Sequence, residues 1–65
     1  MQVVEIGYES GFSLMSDVNQ YLTWLNNQGL AIHNDFEYKV IQSERKIRFE
    51  FKSDSVATYF KLKFS

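Results

Sequence analysis

A two-layer α+β fold ordered β-α-β-β-α is what this chain of 65 residues predicts, and three patterns carry the prediction. From Asp35 to Lys52 the chain alternates twice, first Phe36, Tyr38 and Val40 around Glu37 and Lys39, then Ile47, Phe49 and Phe51 around Arg48 and Glu50. That is the period of a hairpin with one apolar and one charged face. Leu14, Val18, Tyr21, Leu22 and Leu25 recur at helical spacing and share one arc. Val4, Ile6 and Tyr8 alternate with Glu5 and Gly7 as a further strand. An isolated helix of about 15 residues is marginal in water, so this one is expected to pack across one face of a small three-stranded sheet within a single domain, residues 1–65.

The first strand is expected to stop at Glu9-Ser10-Gly11. The main helix then runs from Leu14 to Gln28, capped by Ser13 or Ser16, with Asp17 in its first turn and Gly29 in a left-handed C-terminal cap. Carrying strand parity back from Phe36 turns Leu30 and Ile32 inward, but Asn34 as well. A buried Asn needs partners, so a break is expected at His33-Asn34-Asp35, with the regular strand beginning at Asp35 or Phe36.

Charge predicts the hairpin register. With Gln42 opposite Ile47, Lys39 faces Glu50 and Glu37 faces Lys52, whereas a shift by two sets Lys39 against Arg48 and Glu37 against Glu50. Ser43 to Lys46 then forms a four-residue loop around a type I turn, since no Gly or Asn is present there to take positive φ. Ser53-Asp54-Ser55 reads as a cap for a short helix from Asp54 to about Lys61, with Leu62 and Phe64 in an extended tail. The alternation of Phe60, Leu62 and Phe64 with Lys61 and Lys63 also fits a terminal strand. Strand order stays open between a parallel neighbouring of the first two strands and a central third strand.

A domain this small buries only about 60% of the surface its unfolded chain exposes. Six Phe, four Tyr and one Trp supply large buried area at low rotamer cost, and with no Cys neither a disulfide nor a thiolate metal staple can help. The net charge of -1 excludes the broad positive field of a non-specific phosphate binder. Met1 to Tyr8 carries Glu5 within a short apolar run and has no basic leader, so neither signal peptide nor membrane anchor is expected. A complete, cytoplasmic chain follows as the expectation.

His33 beside Asp35 resembles a base with its orienting carboxylate, but adjacent residues rarely point at one another and no Ser, Cys or second ligand stands at a useful spacing. No catalytic residue, metal or cofactor is therefore predicted. Trp24 lies about 80° from Leu14 on the Tyr21 side of the helix, and Met15 flanks the other side. Trp24, Tyr21 and Met15 are the candidate protein-binding residues, against the alternative that Trp24 covers the core rim next to the first strand or the C-terminal segment. Arg48, Lys52, Lys61 and Lys63 form the candidate basic patch of a nucleic-acid binder, the alternative function. The mixed outer sheet face reads as solvated. Two sheet edges remain, open to a partner's strand or to a second copy as a homodimer.

The run Phe49-Glu50-Phe51-Lys52-Ser53-Asp54-Ser55-Val56-Ala57-Thr58-Tyr59-Phe60-Lys61-Leu62-Lys63-Phe64-Ser65 resembles the ending of small uncharacterised proteins of myovirus-type tailed bacteriophages. There a strand is followed by an acidic cap, Ala and a closing Phe-Lys-Leu-basic-aromatic-small run. The resemblance covers about the last quarter of the chain and carries over no catalytic residue. It implies expression in an infected bacterium and a role in binding a host protein, with a minor virion component as a further alternative.

Overall fold

The computed structural model describes residues 2–64. Its elements are β1 (Gln2–Gly7), α1 (Gly11–Asn27), β2 (Phe36–Ile41), a 3₁₀ turn (Gln42–Glu44), β3 (Lys46–Phe51) and α2 (Asp54–Phe64). The fold is α+β in the expected order. Of the two strand orders left open, the central third strand is the one adopted: β1-β3-β2, antiparallel throughout. Both helices pack on the same face, because Phe49 meets Tyr21 of α1 at 5.7 Å and Phe60 of α2 at 4.7 Å between ring centroids.

The hairpin register corrects the charge-based expectation. Phe36 faces Phe51, Tyr38 faces Phe49 and Val40 faces Ile47, which sets Lys39 opposite Arg48 and Glu37 opposite Glu50. A shift by two keeps every side chain on its face, so parity does not choose between the registers. Burial does. In the charge-complementary register Phe36 would lie beyond the end of β3, opposite Ser53, and Gln42 would enter the inner face. In the observed register Phe36 is buried against Phe51 and Gln42 is released into the turn. Burying one Phe stabilises by about 1.5–3 kcal/mol, whereas cross-strand charge pairs contribute roughly 0.2–1 kcal/mol each. The charges then pair along and diagonally across strands instead: Arg48 with Glu50 at 3.3 Å and Lys46 with Glu5 at 3.1 Å. The loop has four residues, Gln42 to Arg45, and Arg45 itself takes the left-handed conformation that was not expected of it (φ 52°).

Both helices differ from their expected bounds. α1 begins three residues early, after Ser10, whose side chain makes no cap; Ser13 Oγ instead donates to Ser10 O, and Asp17 falls in the second turn. Its C-terminal cap is as expected. Gly29 (φ 82°) donates to Asn26 O and Leu30 to Leu25 O, the paired bonds of a Schellman motif. α2 continues through Phe64, which replaces the expected extended tail with helix and removes the terminal strand. Ser53 Oγ accepts from Val56 N at its start, and Lys61 and Lys63 complement the dipole at its end. The break before β2 is present: His33 has φ 70°, and Ile32 makes one bridge to Phe36. Leu30 is half-buried there, while Ile32 is exposed rather than inward.

The core is centred on Phe60. Its ring lies within 6.0 Å of those of Tyr21, Trp24, Phe49, Phe51 and Phe64, uniting sheet and both helices. Among the described residues no polar or charged side chain is buried.

Candidate functional site

The aromatic core sets the position of Trp24. Its indole lies on the flank of α1 that faces α2, tilted against Phe60 (6.0 Å, 57°) and edge-on to Phe64 (5.6 Å, 86°). Of the two rim positions left open, the contact with the C-terminal segment is the one present, and one side of the ring system is fixed by core side chains. Its other side forms the floor of a seam between the helices. Trp24, Gln28, Tyr59, Leu62 and Lys63 line one end, and Leu30, Ser55 and Val56 continue it at the other.

Tyr59 and Leu62, one turn apart on α2, stand 71% and 77% exposed on this seam. They have no core to enter, because α2 directs Ala57, Phe60 and Phe64 inward. Extended-tail alternation would have turned Leu62 inward beside Phe64, so both seam residues escaped sequence reasoning. The spacing of Phe60 and Phe64, i and i+4, was the signal that would have found them.

The three candidate protein-binding residues are not brought together. Tyr21 is a core residue, 9% exposed, with Phe49, Phe60 and Phe64 around its ring. Its hydroxyl pKa is raised by desolvation and, secondarily, by the Asp17 carboxylate. Met15 is exposed on the opposite flank of α1 from Trp24, one turn from a fully exposed Phe12. That helix surface is nearly free of charge: between Ser10 and Asn34 the sequence has no Lys or Arg and Asp17 as its only carboxylate. Charge depletion with exposed Phe and Met is the composition of interface cores.

The four candidate nucleic-acid residues are divided between layers. Arg48 lies on the outer sheet face, its Nε 3.3 Å from Glu50 Oε2, and Lys52 follows β3 beside Glu37 and Glu50. Lys61 and Lys63 belong to α2, in the layer on the other side of the sheet. No single surface holds all four. His33 and Asp35 do not form a dyad either, since His33 Nδ1 lies 3.2 Å from Glu37 and the Asp35 carboxylate accepts from Ala31 N at 2.8 Å.

A cleft between α1 and the segment before β2, lined by Leu22, Thr23, Asn26, Leu30, Ala31, Ile32 and Phe36, contains no ionisable group. Among the described residues no three His, Asp or Glu gather as a metal site, and no helix is long and apolar enough to cross a membrane. Compared with protein-family models, with curated proteins and with solved structures, the chain gives no significant match.

Proposed function

We propose that this chain is a non-enzymatic protein-binding module, a phage accessory protein of the bacterial cytoplasm that engages a host protein through the seam of Trp24, Tyr59 and Leu62. The observation that carries it is the pairing of a core-anchored indole with two large side chains left exposed beside it. A ring already held by Phe60 and Phe64 loses little freedom on binding, and Trp and Tyr dominate the energetics of protein interfaces. Lys63 at the end of the seam adds a preference for a carboxylate next to the partner's apolar anchor. The phage setting rests on the resemblance of the C-terminal run.

The double variant Tyr59→Gln/Leu62→Gln tests the seam, since both positions are exposed and such changes alter stability by about 0.5 kcal/mol or less. Immobilised wild-type chain should retain a bacterial protein that the variant retains at least tenfold less well, with both chains melting at the same temperature. Equal capture of the same protein by both would refute the seam as the binding site.

A further inference from the structure

The two sheet edges are not equivalent. On β2 the main-chain bond from Lys52 N to Asp35 O fixes the ladder phase, so Phe36, Tyr38 and Val40 direct their backbone groups away from β3. Phe36 O already accepts from His33 N at 2.7 Å, and the Ile32 bridge covers that end. Only Tyr38 and Val40 remain, and a two-fold pairing that uses both sets Lys39 against its own copy.

On β1 the bond from Tyr8 N to Arg45 O fixes the opposite outcome: the even residues bond β3, and Val3, Glu5 and Gly7 direct their N–H and C=O groups outward along the length of the strand. All three residues are exposed. An open antiparallel edge of this kind is a ready template for another strand.

We propose that the occupant is β1 of a second copy, joined antiparallel about a two-fold axis at Ile6 to give one six-stranded sheet. Of the two-fold registers centred on Val4, Glu5 and Ile6, charge favours the last. Centring on Glu5 places two carboxylates face to face. Centring on Val4 sets Glu5 beside the partner's Val3, with Glu50 on the next strand beyond it. Centring on Ile6 sets Glu5 beside the partner's Gly7, which has no side chain, and the next residue in that row is the partner's Lys46. Lys46 already lies 3.1 Å from its own Glu5, so the ammonium and carboxylate positions at this edge are suited to exchange across the axis. The same register makes four main-chain hydrogen bonds between Glu5 and Gly7 of the two copies and sets Ile6 against Ile6, and Val4 against Tyr8, on the apolar face.

Light scattering should return twice the 7.7 kDa chain mass at micromolar concentration. Gly7→Pro removes an outward N–H that the monomer does not use, and a Cβ there meets only Arg45 O at 3.7 Å, so this variant should return the single-chain mass with its thermal transition retained. Because the chain has no cysteine, Ile6→Cys gives an independent reading: mild oxidation should link it into a disulfide dimer, while Val3→Cys, far from its own copy in this register, should remain unlinked. A monomeric wild type up to millimolar concentration, a Gly7→Pro chain that still dimerises, or a dimer in which Ile6→Cys does not link would each overturn the proposal.

Discussion

Phe60→Leu tests the central claim about the core. The Phe60 ring is fully buried and lies 4.7–6.0 Å from five other rings. Full truncation to Ala would cost about 3–5 kcal/mol. A 65-residue domain has a total stability of roughly 3–10 kcal/mol at about 0.05–0.15 kcal/mol per residue, so Ala would remove most of it and leave little to measure. Leu keeps much of the volume but loses the edge and tilted ring contacts, each worth about 0.5–1.5 kcal/mol beyond area burial and partly replaced by aliphatic packing. A net cost of about 1–2 kcal/mol follows, and for a domain this small each kcal/mol lowers Tm by about 4–8 °C. Thermal melting followed by far-ultraviolet circular dichroism should therefore show Tm about 4–16 °C lower, with the near-ultraviolet aromatic signal reduced. A Tm within about 2 °C of wild type would show that the sheet and helices are not joined through this ring.

Two further outcomes follow from the packing and the charges. Lys39→Gln removes a like-charge neighbour of Arg48 in the observed register, so urea denaturation should show stability unchanged or higher by a few tenths of a kcal/mol; a loss of similar size would restore the register that pairs Lys39 with Glu50. In alkali, Tyr21 and Lys46 act in the same direction. The folded-state pKa of each is raised, Tyr21 by burial and then Asp17, Lys46 by its bonds to Glu5 and Glu44, so above their ordinary values near 10 the folded state binds more protons than the unfolded chain. The stability these two groups contribute should be fully present up to about pH 9.5 and be lost as pH rises through the raised values, read as a declining Tm alongside phenolate absorbance; stability rising above about pH 10 would refute the assignment.

The local features were legible because their causes are local. Alternation assigned the faces of β2 and β3, Gly29 stood where a left-handed cap was required, and parity at Asn34 located the break before β2. What escaped was decided by residues far apart in sequence or by residues that bury nothing. The start of α1 was invisible to an apolar-period argument because Gly11 and Phe12 face solvent. The register needed knowledge of where β3 ends relative to Phe36, which outweighs the charges but leaves no trace in parity. The C-terminal run satisfied two periods at once, alternation through Phe60, Leu62 and Phe64 and helical spacing through Phe60 and Phe64. Only packing on Tyr21 and Trp24 separates them. Trp24 meets that segment, one of the two rim positions the sequence left open beside the anchor reading, but its exposed neighbours depended on the helix continuing.

With both helices on one face, the other face of the sheet is left to solvent, and its side chains show how it stays there. Glu5, Glu37 and Glu50 stand among Lys39, Lys46 and Arg48, three acids and three bases, with Arg48 paired to Glu50 along β3 and Lys46 paired diagonally to Glu5 on β1. A second sheet stacking on this face would have to strip water from all six for little apolar area in return, at several kcal/mol per uncompensated ion. Sheet stacking is thereby disfavoured, which leaves the edge of β1 and the helical seam as the surfaces the two proposals use. These lie on different parts of the molecule: pairing through β1 uses backbone groups in the plane of the sheet, while Trp24, Tyr59 and Leu62 open from the helical layer away from it. A dimer built on β1 would consequently leave both seams uncovered, and two seams on one rigid sheet would raise the apparent affinity for a multimeric partner without any new contact.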